Sequence, residues 1–373
     1  MDAQYQLGKR QEFFRRAVKD LAQKRIAPQA DRAESSSDYP KELLDLLSQS
    51  RLFGLLVPKE QGGEGAGVLD FCIALEELSK TCSASAILCS AQNVAGRLVL
   101  GFGSDEQRMR LAHMASGKSL CGLSLADPVG LKIAQLPRLT TNSGRRVISG
   151  SVSFAANADV ADILILPVQS DLGCSYYLLD RQAGGMIVTR KDGMLGGEGR
   201  YACEVTLDNC AVAEQDLLGE GGQAIAVTRG VLPEVSCGAA ARAVGLAQSA
   251  LDQALSYARD RVQFGRPIGR FQAIQVMLAD MATRTEAARG MVYRAASLVD
   301  ARSPEALRLA VMAKLTASDS AMITTTDAVQ ILGGYGYMRD YPVERLMRNA
   351  KLCQMAEIGN DAARVLLATE LLA

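Results

Sequence analysis

The sequence predicts an α+β protein that is mainly α-helical, with a helical domain at residues 1–118, a middle antiparallel β-domain at 119–220 and a helical bundle at 221–373. Apolar residues recur at helical spacing in the first and last parts of the chain. Short β-prone runs separated by turn residues fill the middle part. The chain has 373 residues, 48% of them hydrophobic, which is enough to bury a sizeable core. No repeat or long linker separates the three parts, so we expect one compact subunit.

The first helical region extends from Gln11 to about His113, where apolar residues follow a helical period in LLDLLSQSRLFGLLVP and FCIALEELSK. Pro58 and the glycines at 62–67 interrupt this pattern. The GGEGAG stretch lacks the GK[ST] ending of a phosphate-binding loop and does not lie between a strand and a helix. It is therefore predicted to be a turn.

The middle region, from about Ser119 to Leu218, contains the short runs RRVISGSVSF, DILILPV, CSYYLLD, GMIVTR and YACEVTLDN. Their residue types and the turn residues between them favour strands. Two glycine-rich loops lie in the second half of this region, GMLGGEG from Gly193 and GEGGQ from Gly219. Neither completes the strand-turn-helix fingerprint of a dinucleotide site, so both are predicted to be tight turns.

After about Gly222 the pattern is helical again, beginning with the alanine-rich SCGAAARAVGLAQSALDQALSYARD. Small residues of this kind let neighbouring helices approach closely. Three more helices are predicted at Gln272–Leu298, at Pro304–Leu332 and near Pro342–Leu372.

Composition excludes several classes of function. Forty-one basic residues balance forty-one acidic ones, so nucleic acid and membrane surfaces are not expected as partners. The nine cysteines form no CxxC pair, and we expect them to be reduced and buried. His113 is the one histidine, which argues against a metal site and most catalytic triads; we expect it in a core or surface role. With no secretory signal and no long apolar run, we expect a cytoplasmic protein.

The first segment whose residues are suited to binding a ligand is RVQFGRPI, which starts at Arg261 and is followed by Phe271 and Gln272. Glycine and proline within it permit a sharp turn between two helices. Arg261 offers a planar set of donors suited to an anionic group, and Phe264 offers an aromatic face. The same residues could equally close a corner between two packed helices.

The second segment is QILGGYGY from Gln330, followed by DYPVERLMRNAK. Adjacent glycines after a helical run let another backbone or a flat ligand come close, and the Gln330 amide can donate and accept hydrogen bonds at the edge of that opening. A simple helix cap is the alternative.

Together, RVQFGRPI…FQ and QILGGYGY…DYPVERLMRNAK closely resemble two diagnostic stretches of the acyl-CoA dehydrogenase family, in the same order and at a similar separation. More weakly, LFGLLVPKEQGGEG and SDEQRMRLAHMASGK are similar to further segments of that family. The resemblance implies an acyl-CoA dehydrogenase-like fold of helical, β and helical domains. It also implies a homo-oligomer, usually a tetramer, with FAD in a cleft that receives an acyl thioester.

The resemblance also implies which residues bind the cofactor. In the family, the residues matching Arg261, Gln263, Phe264 and Gln272 contact FAD of a neighbouring subunit, so FAD binding would require a dimer. Those matching Gln330, Gly333 and Gly334 meet the diphosphate-ribose portion of FAD. The remaining cofactor positions implied by the family's flavin-facing and C-terminal motifs are Leu125, Ala126, Phe154, Ala156 and Gly359.

The catalytic base implied by the resemblance is Glu357, in the segment KLCQMAEIGN. A carboxylate suits the chemistry, because removal of a proton α to a thioester needs a base held beside that carbon, and apolar surroundings make a carboxylate more basic. Leu352, Met355, Ala356 and Ile358 are the expected apolar surroundings. The alternative is a solvated glutamate on a helix face.

The substrate contacts implied by position in the family are Ser236 and Ile358. Some members carry their base in the helix that contains Ser236, where Glu234 is the nearby acid. The implied reaction is removal of the α-proton by the base with transfer of the β-hydrogen as hydride to flavin N5, giving a 2-enoyl thioester. Electrons would then pass to an electron-transfer flavoprotein or a similar acceptor.

The flavin-facing motifs depart from the family pattern. Where the family commonly has TEPxAGSD this chain has ADPVGLK from Ala126, and where it has WITN this chain has FAAN from Phe154. Ala156 cannot donate the hydroxyl hydrogen bond that the family directs at flavin N5. In the base motif, Ala356 replaces a tyrosine, and Ile358 and Gly359 replace Gly-Thr. Each lost hydrogen bond is worth on the order of 1 kcal/mol.

Two functions of different classes therefore stay open. One is an active FAD-dependent dehydrogenase of an unusual thioester: aromatic, alicyclic, dicarboxylic or carrier-protein-bound. The other is a catalytically weak or silent subunit that pairs with an active homologue in a hetero-oligomer.

Overall fold

A computed structural model describes residues 7–35, 39–130, 136–142, 144–190, 195–196 and 203–372. Three features discussed above lie partly outside the described residues. They are Leu131 and Lys132 of ADPVGLK, most of the GMLGGEG loop that starts at Gly193, and Tyr201 with Ala202 of YACEVTLDN.

Helices form the N-terminal part of the chain. They are α1 (Lys9–Leu21), a π-helical turn (Ala22–Ile26) leading into α2 (Ala27–Ser35), α3 (Lys41–Gln49), α4 (Val68–Ser79), α5 (Ser83–Phe102), α6 (Asp105–Arg108) and α7 (Leu111–Ala115). The GGEGAG stretch is a turn before α4, as predicted, and Gly62 has a φ of +86°. His113 is exposed on α7.

Strands form the middle part. They are β1 (Cys121–Leu123), β2 (Arg138–Asn142), β3 (Arg145–Ala155), β4 (Ile163–Ser170), β5 (Gly173–Asp180), β6 (Met186–Arg190), β7 (Cys203–Ala211) and β8 (Leu217–Leu218). Seven follow the order β6-β7-β3-β2-β4-β5-β8, and β1 pairs with β4. The sheet is mainly antiparallel, as predicted, but β4 runs parallel to both β1 and β2. The sequence pattern did not indicate these two parallel pairings.

The C-terminal part is helical. Its elements are α8 (Ala224–Asp260), a short hairpin of β9 (Val262–Gln263) and β10 (Arg266–Pro267), α9 (Gln272–Asp300), α10 (Ala306–Leu332), α11 (Val343–Met355) and α12 (Asn360–Leu372). Helix α8 begins twelve residues before the alanine-rich segment and continues through Pro233.

The prediction of one helix near Pro342–Leu372 was wrong, because α11 and α12 are separate helices. Ala356 has an extended backbone, with φ −74° and ψ 160°, and Glu357 has a left-handed φ of +54°. Neither conformation continues an α-helix. Glu357 therefore lies in a break between two helices and not on a helix face.

Two buried clusters position the site. The first packs α8, α9 and α10 against α4, and a Cβ at Gly245 of α8 would lie 2.4 Å from the Glu76 carbonyl oxygen of α4. The second joins the sheet to the C-terminal helices, and its members include Leu123, Ala126, Ala156, Val235, Ala356 and Ile358. Ala356 and Ile358, in the break between α11 and α12, therefore share one core cluster with residues of the β-domain and α8.

All nine cysteines are buried and free, which confirms the prediction that they are buried. Across the described ranges, no helix combines the length and the apolar character needed to cross a membrane. The same ranges contain no group of three or more metal-binding side chains placed to hold an ion.

Candidate active site

The site is built around the break between α11 and α12, which we call the Glu357 loop (residues 354–360). Helix α11 ends where the Ala356 N–H donates to the Leu352 carbonyl at 2.8 Å. Ala356 and Ile358 are buried, and the Glu357 side chain between them is 12% exposed. Met355 is 66% exposed, so the expectation that it contributes to the apolar surroundings of Glu357 was wrong.

The partner of Glu357 is an arginine that sequence reasoning missed. Arg242 lies on α8 with its side chain 3% exposed, and its Nη2 donates a hydrogen bond to Glu357 Oε1. A buried guanidinium is stabilised by a paired carboxylate, and removal of one partner leaves a costly buried charge. The surroundings of Glu357 are therefore partly ionic, whereas the sequence predicted apolar ones. The pair ties the candidate base to α8.

A buried lysine contacts the same loop from α10. Lys314 is 1% exposed, and its Nζ donates to the Ile358 carbonyl at 2.6 Å and to Asn360 Oδ1. Burial lowers the pKa of Lys314 to about 8, although the charge of nearby Glu357 opposes this shift. Two cations thus approach the Glu357 loop from two different helices.

The alternative acid, Glu234, is engaged elsewhere. Its side chain is 7% exposed on α8 and forms an ion pair with Arg97 of α5 at 3.0 Å. Burial raises the pKa of Glu234, and the charge of Arg97 opposes that rise.

The structure brings together the two segments that the family resemblance predicts to face flavin. The Ala156 N–H donates to the Leu123 carbonyl at 2.8 Å, and the Leu123 N–H donates to the Ala156 carbonyl at 3.0 Å. The Ala126 N–H donates to the Tyr176 hydroxyl at 2.7 Å, which fixes the segment after β1. Leu125 is half-buried beside it, and the Phe154 ring is 55% exposed.

Two buried polar side chains are notable near these elements. The Ser236 hydroxyl on α8 and the Asn157 side-chain amide after β3 have no hydrogen-bond partner among the described residues. Both residues are fully buried, and Asn157 has a φ of +58°. Leaving such groups unpaired costs about 1–3 kcal/mol each, so they are suited to accept a ligand atom.

The RVQFGRPI segment forms the exposed β9–β10 hairpin. Phe264 has a φ of +53° and a side chain that is 93% exposed, and its ring packs edge-on against Phe271 with centroids 6.2 Å apart. Gln263 and Gln272 are exposed as well. The Arg261 guanidinium lies 5.4 Å from the centre of the Tyr335 ring, so the hairpin contacts the second motif.

The second motif ends α10 in an open turn. Gln330, Gly333 and Gly334 are exposed, and a Cβ at either glycine would have no heavy atom within 4 Å. We call the hairpin and this turn, residues 261–272 and 330–337, the turn pair. Its aromatic rings and open glycine backbone fit a flat, phosphate-bearing cofactor such as FAD approaching from outside the subunit.

Comparison with known proteins decides the family. Sequence models described as "Acyl-CoA dehydrogenase, N-terminal domain" and "Acyl-CoA dehydrogenase, C-terminal domain" match residues 8–118 and 225–371. An acyl-CoA dehydrogenase of Bacillus subtilis (strain 168) is 39% identical over 371 residues, covering 97% of this chain and 98% of that protein. The chain belongs to the acyl-CoA dehydrogenase family.

Other acyl-CoA dehydrogenases are similar over nearly their whole length. A cyclohex-1-ene-1-carbonyl-CoA dehydrogenase of Geobacter metallireducens is 35% identical over 364 residues, covering 95% of this chain and 96% of that protein. The structure of butyryl-CoA dehydrogenase from Megasphaera elsdenii matches with a TM-score of 0.91 at 33% identity, covering 99% of both chains. Family membership confirms the predicted fold, the enzyme class and FAD as the cofactor.

Proposed function

We propose that this acyl-CoA dehydrogenase uses Glu357 as the base that removes the α-proton of an acyl thioester. The supporting observation is the position of the Glu357 carboxylate: it is held by Arg242 of α8, and its neighbours Ala356 and Ile358 share a core cluster with Ala126 and Ala156. Glu234, the alternative acid, is paired with Arg97.

In this proposal the Cα–H bond breaks and its proton goes to the Glu357 carboxylate, while the bonding electrons form the new Cα–Cβ double bond. FAD supplies the acceptor, N5, for the hydride that leaves Cβ. Arg242 orients the carboxylate, and the apolar Ala356 and Ile358 limit access of water to it. A positioned base of this kind contributes roughly 10²- to 10⁴-fold to the rate.

The exposed residues of the turn pair would complete the FAD site of a neighbouring subunit. The unpaired Ser236 hydroxyl and Asn157 amide would accept or donate hydrogen bonds to the bound substrate or cofactor. An electron-transfer flavoprotein or a similar acceptor would receive the electrons. Among the thioesters left open by the sequence, an alicyclic acyl group is supported by the similarity to the cyclohex-1-ene-1-carbonyl-CoA enzyme.

A second candidate function is a weak or silent subunit of a hetero-oligomer. It is favoured by Ala126 and Ala156, whose backbone groups are fixed in hydrogen bonds but whose methyl side chains cannot bond to flavin. An active enzyme purified alone should be yellow and lose colour with its thioester. A silent subunit should stay colourless or inert until a homologous chain is co-expressed.

Glu357→Gln tests the base directly. We expect kcat with butyryl-CoA or cyclohexane-1-carbonyl-CoA, both of which carry an α-hydrogen, to fall by roughly 10²- to 10⁴-fold, with FAD content unchanged. Glu234→Gln is the matched control, because it neutralises another buried, arginine-paired glutamate; we expect its kcat to stay near that of the wild type. The assignment of Glu357 is wrong if the Glu234 variant loses turnover and the Glu357 variant does not.

A further inference from the structure

Lys314 is buried to an extent that is unusual for a lysine. Its side chain is 1% exposed on α10, and lysine is almost never fully buried unless it is paired. Desolvation of an ammonium group is costly, so its contacts have to offset that cost. Among the described residues, the hydrogen bonds of Lys314 all go to the Glu357 loop.

The donors of Lys314 reach both sides of the candidate base. Nζ donates to the Ile358 carbonyl at 2.6 Å and to Asn360 Oδ1, and it lies 3.5 Å from the Gln354 carbonyl. An ammonium group has three donors and no acceptor, so these oxygens suit its full capacity. Gln354 precedes Glu357, whereas Ile358 and Asn360 follow it.

The next turn of α10 extends the same set of contacts. The Asn360 amide donates to Ser318 Oγ at 3.0 Å and to Asp319 Oδ1 at 2.9 Å. The Gln354 amide donates to the same Asp319 oxygen at 2.6 Å. Ser318 is four residues after Lys314 and lies next to it on the helix surface, and Asp319 directly follows Ser318. Together these residues of α10 bond to both ends of the loop.

The loop needs such support because its central residue is strained. A left-handed backbone at a residue other than glycine costs roughly 1–2 kcal/mol, and it persists only where the surroundings determine it. Glu357, with φ +54°, is in that conformation. The backbone contact at Ile358 acts directly beside the strained residue.

We propose that Lys314 is a positioning residue: from α10 it holds the Glu357 loop in the conformation that presents the Glu357 carboxylate to the acyl thioester. The inference rests on the proposed role of Glu357 as the base. Lys314 acts through the loop and needs no contact with substrate. Without it, the loop relaxes and the base moves, and a displacement of about 1 Å costs about 10²-fold in rate.

The test uses the full-length, FAD-loaded enzyme with butyryl-CoA and cyclohexane-1-carbonyl-CoA, which both carry an α-hydrogen. Lys314→Met keeps most of the side-chain volume and removes the donors. We expect kcat to fall roughly 10- to 100-fold with a much smaller change in KM. The isotope effect of an α-deuterated thioester should rise, because proton removal becomes slower. Lys314→Arg, which retains charge and donors, should recover part of kcat.

Val292→Ala is the control for lost stability alone. Val292 is fully buried on α9 in the first cluster, and its truncation should cost about 1–3 kcal/mol of unfolding free energy. We expect it to leave kcat and the isotope effect at wild-type values. If Lys314→Met does not fold, Asn360→Ala replaces it in the test. This variant removes the hydrogen bonds of the Asn360 side chain to Lys314, Ser318 and Asp319, and it should also lower kcat.

The outcomes separate the two proposals. If Glu357→Gln turns over like the wild type, the proposed function fails and this inference fails with it. If Glu357→Gln is inactive, the assignment of the base stands. If in that case Lys314→Met, or Asn360→Ala in its place, has the kcat and isotope effect of Val292→Ala, the positioning role of Lys314 is overturned.

Discussion

The turn pair and the Glu357 loop are two functional regions built on different principles. In the turn pair, the side chains that the sequence motifs pointed to lie on the surface, and Phe264 is 93% exposed. In the Glu357 loop, the candidate base is 12% exposed and pairs with Arg242, and Lys314 bonds to the loop beside it; both residues are far away in sequence. A surface region keeps its shape through local turns, whereas a buried polar group depends on partners supplied by other helices.

The largest expected effect comes from separating the buried ion pair. Arg242→Met or Glu357→Gln alone should lower the unfolding free energy by about 3–5 kcal/mol, because each leaves a buried group without its charged partner. The double variant should lose less than the sum of the two, with a coupling of about 0.5–3 kcal/mol. Thermal unfolding of the four proteins measures this cycle.

Arg261→Met in the turn pair is the matched control for this cycle. Arg261 is only half-buried and its described contact is with the Tyr335 ring, so we expect a loss of about 1 kcal/mol or less. Additive losses for Arg242 and Glu357, or a loss at Arg261 of the same size, would remove the energetic distinction between the two regions.

The second expected effect is a pH dependence of stability from Lys314. Its pKa is about 8 in the folded protein against an ordinary value of 10.5, so between these values the unfolded chain binds more protons. Stability should therefore rise with pH across this window, by at most about 3 kcal/mol in total. Lys314→Met should lack this contribution. The measurement is the difference in melting temperature between wild type and variant from pH 7 to 10.5; a constant difference contradicts the prediction.

The sequence predicted most of the helices and a candidate base, Glu357, but not the residues that hold this candidate base. The helical spacing of apolar residues predicted a helix at Gln272–Leu298, and α9 ends two residues later, at Asp300. Arg242 and Lys314 each stand alone in an otherwise small or apolar helical run, which is the available signal for a buried, paired charge. Their partners could not be predicted, because these are distant in sequence. Glu357 is 115 residues from Arg242, and Ile358 is 44 residues from Lys314.

The break before α12 was missed for a similar reason. The apolar pattern continues from α11 into α12, so periodicity alone favours one helix. Glu357 has a left-handed backbone, and Lys314 of α10 bonds to the next residue, Ile358; no local pattern shows this contact. The flavin-facing segments were placed by resemblance, but their connection through Leu123 and Ala156 depends on the sheet topology.

A smaller effect is expected within the turn pair itself. Gly333 has a φ of +60° and a ψ of −135°, a conformation that side chains disfavour, although space for a Cβ is open. Gly333→Ala should therefore cost about 1–3 kcal/mol through the backbone alone. Gly334→Ala is the matched control, since its site is equally open and its φ is not in the left-handed region; its melting temperature should stay near that of the wild type.

The smallest expected effect on the folded subunit is at Phe264, where stability and cofactor retention should separate. The ring is 93% exposed, so Phe264→Ala should change the unfolding free energy by no more than about 0.5 kcal/mol. If the ring is covered by FAD of a neighbouring subunit, the variant should retain FAD roughly tenfold less well, which corresponds to about 1.4 kcal/mol. Phe13→Ala, on α1 with a ring that is 70% exposed, is the matched control and should keep its FAD. Equal FAD titration curves for both variants would show that the exposed ring of the turn pair does not serve the cofactor.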